Sequence, residues 1–93
     1  MKLPINYSKA TWVERKRARK LYINQQDGKC YYCGASLAEA PPSHILAKKI
    51  TPSLYPESFF KYPIHLHHSH NTGLTIGAVH NYCNAVLWEY EKE

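Results

Sequence analysis

The sequence predicts a small α+β domain in which a helix, a proline-rich loop, a β-hairpin and a second helix are held together by zinc. Three observations predict it: a length of 93 residues, three cysteines and a histidine at metal-ligand spacing, and residue patterns that change from helical to strand-like to helical. A core this small gives little stability, so a metal cross-link is expected. We predict one domain, residues 1–93, with a basic helical arm at 1–29 and a zinc-stapled core at 30–93.

The first element is predicted to be a helix that begins at Thr11. Thr11 and Glu14 have the spacing of a capping box, and Gly28 is the first glycine or proline after them, which suits the helix end. The apolar side chains expected to face the core are Trp12, Val13, Leu21 and Tyr22.

Residues 35–63 are predicted to form a long connection, because their prolines prevent a long helix or a central strand. Pro56 can open a short helix within it. The following segments are expected to form a hairpin, with strands at 64–68 and 74–79 joined by a turn that contains glycine. A final helix is expected from Asn81 onward, with Ala85, Val86, Leu87, Trp88 and Tyr90 on or near its buried side.

Positive charge is concentrated in the first helix. The chain carries a net +5, and residues 1–29 hold eight Lys or Arg against two acidic residues. Such a segment is typical of a nucleic-acid partner, although a solvated helix face or contact with acidic lipids stays open on charge alone. The candidate DNA-contacting residues are Arg15, Lys16, Arg17, Arg19 and Lys20.

Composition excludes several classes of protein. A disordered chain is excluded by the 44% hydrophobic content. No run approaches the roughly 20 apolar residues that a membrane span needs, so no membrane association is expected. The N-terminal residues lack the apolar segment of a secretory signal, and we therefore expect a cytoplasmic location.

Four residues stand at the spacing of a structural zinc site: Cys30, Cys33, His80 and Cys83. Two residues between the ligands of each pair let both side chains converge on one tetrahedral ion, and Gly34 permits the tight turn that follows the first pair. Three cysteines do not make a complete disulfide framework. A redox-active C-x-x-C is the rival interpretation, but it expects a thioredoxin-like βαβ context that this short chain does not supply.

Four histidines lie within residues 65–70. Four buried structural histidines would each need polar partners, so a functional cluster is favoured. In a regular strand His65 and His67 point to one face, and His68 and His70 to the other. A site that uses both His67 and His68 therefore requires the strand to end or bend between them, and a site built from His68 and His70 stays open.

In order and spacing these motifs resemble the HNH, or ββα-metal, endonucleases, and within them the recombination endonuclease VII group of phage enzymes. That group's pattern runs C-x-x-C, H-L-D-H-x-H, T-G and C-x-x-C-N, and it corresponds here to residues 30–33, 65–70, 72–73 and 80–84. The resemblance implies a ββα-metal fold, metal-dependent cleavage of DNA, products with 5′-phosphate and 3′-hydroxyl ends, and, for a phage protein, the host cytoplasm.

The resemblance also implies a role for each site residue. His68 would be the general base that takes a proton from the attacking water, and His67 and Asn84 would hold a catalytic divalent cation. His65 and His70 would support the metal site or touch the substrate. His67 stands where the group has an aspartate, and because imidazole is softer and uncharged, Mn²⁺, Co²⁺ or Ni²⁺ is favoured over Mg²⁺.

Two further positions depart from the group's pattern. His80 replaces a cysteine, which zinc accepts, and Ile76 replaces an arginine, which removes one expected phosphate contact. Two other functions stay open: a zinc-stabilised DNA-binding module without cleavage, and a nuclease subunit gated by a phage or host protein. A homodimer also stays open.

Overall fold

The structure, a computed structural model, describes residues 1–92. Its elements are, in chain order, α1 (Trp12–Gln25), α2 (Ser43–Leu46), two 3₁₀ helices (Pro52–Leu54 and Glu57–Phe60), β1 (Ile64–His68), β2 (Thr75–His80) and α3 (Asn81–Tyr90). The two strands form an antiparallel sheet. The α+β class predicted from the sequence is confirmed.

Helix α1 begins at the predicted capping box. The backbone N–H of Glu14 donates to the Thr11 hydroxyl at 3.1 Å, and the backbone N–H of Thr11 donates to the Glu14 carboxylate at 2.8 Å. Beyond the helix, Gly28 has a φ of +73°, a conformation that glycine adopts without steric cost. The predicted extent of this helix is therefore confirmed.

The core-facing side of α1 is narrower than the sequence suggested. Ala18 and Tyr22 are buried, and since they are four residues apart they form one stripe along the helix. Trp12, Val13 and Leu21, which we expected to face the core, are exposed, so for these three residues the prediction was wrong. A sheet of two strands covers only one side of the helix, and the small Ala18 allows the backbones to approach closely.

The hairpin departs from regular pairing at one place. Strand β1 has the predicted bounds, and β2 begins one residue later than predicted and extends to His80. His67 pairs with Gly77, whereas His68 pairs with Thr75, so Ile76 is an extra residue in β2. Such a bulge bends the strand and redirects the side chains beside it.

A glutamine at the end of α1 attaches this helix to β2. The side chain of Gln26 accepts a hydrogen bond from the Ala78 backbone N–H at 2.9 Å and donates one to the Ala78 carbonyl at 2.9 Å. It therefore pairs with the strand much as a neighbouring strand would. Gly77 allows this approach, because a Cβ there would lie 2.8 Å from the Gln26 Oε1.

The N-terminal segment pairs with the start of β2, although its sequence carries no strand pattern. The Tyr7 N–H donates to the Gly73 carbonyl at 2.8 Å, and the Thr75 N–H donates to the Ile5 carbonyl at 2.9 Å. Tyr22 supports the same strand end, since its hydroxyl lies 2.8 Å from the Thr75 Oγ1. This pairing places Tyr7 beside the histidine-bearing strand.

The connecting segment is mostly irregular, as its prolines predicted, and it contributes buried side chains to the core. The residue after Pro56 begins a 3₁₀ helix rather than an α-helix. The fully or almost fully buried apolar residues of the core include Ala18, Leu37, Ile45, Leu66, Ala78, Val79, Val86 and Leu87. Within residues 1–92, no helix has the length and hydrophobicity needed to cross a membrane.

Candidate functional site

The four predicted zinc ligands lie together. Their ligand atoms, from Cys30, Cys33, His80 and Cys83, all lie within 4.8 Å of one another. In tetrahedral sites with Zn–S bonds of about 2.3 Å, neighbouring sulfur atoms are roughly 3.8 Å apart, so a small contraction would close this group around an ion. The cluster could therefore hold a structural zinc.

A tight turn brings the first two thiols to one side of the backbone. The Gly34 N–H donates to the Cys30 carbonyl at 2.9 Å, and the Cys30 N–H donates to the Ala35 carbonyl at 2.8 Å. Gly34 has a φ of +78°, which agrees with the requirement for glycine after the second cysteine.

His80 is oriented as a metal ligand by the backbone of the connecting loop. Its Nε2 lies 2.9 Å from the carbonyl oxygens of both Ser36 and Glu39. Because carbonyl oxygens only accept, Nε2 carries the proton, and the lone pair of Nδ1 points toward the thiols. Nδ1 lies 3.4 Å from the Cys33 sulfur and 3.6 Å from the Cys83 sulfur. Sequence spacing identified His80 as a candidate ligand, but it did not predict that the Ser36 and Glu39 carbonyl groups would orient the ring.

The thiols interact strongly with one another. A hydrogen bond from the Cys83 side chain lowers the pKa of Cys30 below its ordinary value. The same contact, together with burial, raises the pKa of Cys83. Metal binding requires every coordinating thiol to lose its proton. A bound divalent cation would then stabilise the negative charge of the sulfur atoms, in place of the hydrogen bond that Cys83 donates to Cys30 here.

A cleft of about 830 Å³ opens between α1, the connecting loop, the hairpin and α3. All five side chains predicted for the catalytic site line it: His65, His67, His68, His70 and Asn84. The cleft is separate from the cluster of three cysteines and His80, but Cys83 and Asn84 are consecutive in the first turn of α3. Fixing the cysteine therefore also fixes the position of the asparagine.

Both His67 and His68 line this cleft, and a register shift in the hairpin lies between them. Regular alternation would place them on opposite faces of the strand, but the register shifts between these two residues and β1 ends at His68. His67 is 2% exposed, and His68 is partly exposed. The regular pairing of β1 thus breaks at the place where a site shared by His67 and His68 requires the strand to end or bend.

Asn84 is oriented through His65. The His65 Nε2 lies 2.7 Å from the Phe59 carbonyl oxygen, so this nitrogen carries the ring proton and Nδ1 is the acceptor. The Asn84 side-chain amide donates to that Nδ1 at 3.1 Å. Burial lowers the pKa of His65, and the nearby charge of Arg19 lowers it further, which keeps the ring neutral and able to accept. The amide oxygen of Asn84 is then directed away from His65.

His68 packs against an aromatic ring. Its imidazole stacks on Tyr7 with a centroid separation of 4.0 Å and an interplanar angle of 9°. The Arg15 guanidinium carbon also lies 4.0 Å from the Tyr7 centroid. Burial lowers the pKa of His68, and the positive charges that His70, His67 and Arg15 can carry lower it further. His68 is therefore in its proton-accepting form at neutral pH.

The basic residues of α1 are divided between two surfaces. Arg15, Lys16 and Arg19 line the histidine-containing cleft, whereas Arg17 and Lys20 line a separate shallow depression. Helical periodicity explains the separation, since residues three and four apart share a face. Only three of the five predicted DNA contacts therefore lie beside the histidines.

Sequence reasoning did not identify the aromatic side chains of the cleft. Tyr7 lies far from the histidines in sequence, and only the pairing of the N-terminal segment with β2 brings it to His68. Trp12 and Trp88 were expected to face the core, yet both are exposed. Tyr62, which lies two residues before β1, and Trp88, which lies on α3, also line the cleft. Clustering of aromatic and basic residues along the chain was the only available signal.

Comparison of the chain with protein-family models, curated proteins and solved structures gives no match. The side chains of the cleft define the chemistry available to it. They comprise imidazoles on and just after β1, an amide held in one orientation, and three cationic groups on the facing helix.

Proposed function

We propose that this protein is a metal-dependent DNA endonuclease of the HNH, ββα-metal, type, which hydrolyses phosphodiester bonds by nicking or double-strand cutting. The observation that carries the proposal is that His67, His68 and Asn84 line one cleft together with three cationic side chains of α1. Such a cleft can hold both a base and a metal ligand.

His67 and Asn84 would hold the catalytic divalent cation. Since the Asn84 amide nitrogen is bonded to His65, its oxygen is the atom left for a metal. Among the described residues, no Asp or Glu side chain lines the cleft. An imidazole nitrogen and an amide oxygen therefore favour Mn²⁺, Co²⁺ or Ni²⁺ over Mg²⁺. When bound, the cation supplies positive charge to a phosphate oxygen and to the leaving oxygen.

His68 is the general base. Its lowered pKa leaves it neutral at physiological pH, so it can take a proton from the water that attacks phosphorus. Tyr7 restricts the plane of the imidazole by stacking on it. A base whose ring plane is fixed loses less entropy when it meets the water, which favours the proton transfer.

The cations on α1 hold the DNA backbone against this site. Arg15, Lys16 and Arg19 line the cleft and are suited to phosphate oxygens, whose contacts set the position of a nucleic acid without reading its sequence. The zinc cluster contributes indirectly, since it fixes the first turn of α3 and hence Asn84. Zinc is structural in this proposal, and the catalytic cation is a separate ion.

Supercoiled plasmid treated with the zinc-loaded protein tests the proposal. Mn²⁺, Co²⁺, Ni²⁺ and Mg²⁺ are added separately, and we expect conversion to nicked or linear DNA with at least one of them. His68→Ala should slow cleavage about 10²- to 10⁴-fold, the usual contribution of a positioned base. His44→Ala is the matched control, because His44 is exposed and lies outside the cleft.

A folded, zinc-containing protein that binds DNA but nicks nothing with any metal would overturn the enzymatic proposal. The same result would favour the non-catalytic DNA-binding module or a subunit that needs its partner for cleavage. If the His68→Ala variant cleaves the plasmid as fast as the His44→Ala control, His68 is not the general base.

A further inference from the structure

We infer that the cleft binds single-stranded DNA, with unpaired bases stacked on exposed aromatic side chains beside the histidines. The identity of the nucleic acid as DNA rests on the proposed function. The preference for an unpaired strand is carried by other residues, chiefly Trp12 and Tyr62, which have no part in the chemistry of cleavage.

Three aromatic side chains of the cleft are unusually open to solvent. Trp12 is 73% exposed, Tyr62 is 59% exposed and Trp88 is 45% exposed, and all three line the cleft. They come from α1, the segment before β1, and α3, so the fold gathers them from distant parts of the chain. Exposed apolar groups gathered in one concave surface are typical of a binding site rather than of incidental exposure.

The charge around these rings is positive. Arg15, Lys16 and Arg19 line the same cleft, and its lining contains no Asp or Glu within the described part of the chain. Lys61 adds a further cation, with its Nζ 5.8 Å from the Tyr62 ring centroid. A ligand that matches this surface carries several negative charges and also presents flat apolar faces.

Single-stranded DNA has both properties. Its phosphates follow a positively charged groove while its bases stack on aromatic side chains, and this stacking tolerates any base sequence. In a duplex the base faces are covered by neighbouring base pairs, and only the base edges reach the grooves. Trp12 and Tyr62 would therefore find no stacking partner on an intact duplex, which leaves the unpaired strand as the better fit.

Binding without cleavage tests this inference. The zinc-loaded protein is titrated, with no other divalent metal added, into a fluorescein-labelled 20-nucleotide single strand and into the corresponding duplex at the same salt concentration. We expect the single strand to bind at least about ten times more tightly. Trp12→Ala and Tyr62→Ala should each weaken its binding about 5- to 150-fold, the range for loss of one stacked base, and should leave duplex binding nearly unchanged.

The matched control is Tyr90→Ala. Tyr90 is 47% exposed and lies outside the cleft, so this variant should bind the single strand as the wild type does. Trp12→Phe retains a stacking surface and should recover most of the affinity lost in Trp12→Ala. Because Trp12 and Tyr62 are largely exposed, their truncation leaves no buried cavity, and an unchanged zinc content and circular dichroism spectrum verify the fold.

Equal affinity for both DNA forms, with no effect of Trp12→Ala or Tyr62→Ala, would overturn the inference. This outcome is distinguishable from failure of the nuclease proposal. If the plasmid is cleaved while both variants bind the single strand normally, the nuclease proposal stands and the stacking inference fails. If no metal supports cleavage but both variants lose single-strand binding, the stacking inference stands and the nuclease proposal fails.

Discussion

The side-chain amide of Asn84 donates a hydrogen bond to Nδ1 of His65 at 3.1 Å, which joins α3 to β1. On its other side the His65 ring donates to the Phe59 carbonyl at 2.7 Å, so the imidazole is held by the second 3₁₀ helix. Reversal of the Asn84 amide would place its oxygen against the lone pair of Nδ1 and is therefore disfavoured. His65 thus determines which atom of Asn84 remains for a metal.

His65→Phe tests this positioning role. Phenylalanine keeps a flat ring that can pack on Phe59 but provides no acceptor, so Asn84 should lose its preferred orientation. We expect the Mn²⁺ concentration for half-maximal plasmid nicking to rise about 10- to 100-fold, the usual effect of losing a group that orients a metal ligand. Zinc content should not change. An unchanged Mn²⁺ requirement would show that Asn84 does not depend on His65.

The pH dependence of cleavage should report His68. A general base acts in its neutral form, so the rate should rise with pH and level off above the pKa of the imidazole. Burial lowers this pKa, so the midpoint measured at saturating Mn²⁺ should fall below the ordinary value of 6.5. Tyr7→Ala uncovers the ring and should move the midpoint upward. A wild-type midpoint above 6.5 would contradict the assignment.

Removal of one zinc ligand should unfold the protein rather than only inactivate it. Structural zinc contributes about 10 kcal/mol or more to the folding of small domains, and Cys33→Ser removes one of the four ligands. The serine is close in volume and Cys33 is only partly buried, so packing alone would change little. Elemental analysis should find one zinc per wild-type chain, and thermal unfolding should show a large loss of stability in the variant. A folded, cleaving preparation without zinc would refute this.

The two basic surfaces of α1 should differ in their effect on DNA binding. The double variant Lys16→Gln with Arg19→Gln removes two cations from the cleft, whereas Arg17→Gln with Lys20→Gln removes two from outside it. Each lost phosphate contact should flatten the plot of log affinity against log salt by about 0.7 for a single strand. The first variant should therefore lose roughly 1.4 in slope and the second almost none. If the two double variants show equal salt slopes, the cations on the cleft-facing side of α1 do not contact phosphates and only face the solvent.

The metal preference should follow from the ligand at position 67. With histidine there, we expect Mn²⁺, Co²⁺ or Ni²⁺ to support faster cleavage than Mg²⁺. His67→Asp supplies a charged oxygen and should shift activity toward Mg²⁺. Glu89 on α3 does not line the cleft, and its carboxylate accepts hydrogen bonds from Tyr55 at 2.6 Å and from Thr51 at 3.0 Å. Faster wild-type cleavage with Mg²⁺ would contradict the proposed ligand set.

Local features of this protein were predictable from its sequence. The capping box at Thr11, the turn at Gly34, the bounds of β1 and the start of α3 at Asn81 each depend on residues a few positions apart, and all are present. The grouping of Cys30, Cys33, His80 and Cys83, which could hold a zinc, was also predictable, because two pairs with metal-ligand spacing have few other uses in a chain with three cysteines.

Only the tertiary structure decided which side chains meet in the cleft. His67 and His68 both line it beside a register shift in the hairpin, and residue alternation alone cannot locate such a shift. Tyr7 reaches His68 only because the N-terminal segment pairs with β2, and the exposure of Trp12 reflects how little of α1 a two-stranded sheet covers. Sequence spacing governs contacts within a turn or a strand, whereas contacts between distant segments depend on how all the elements pack together.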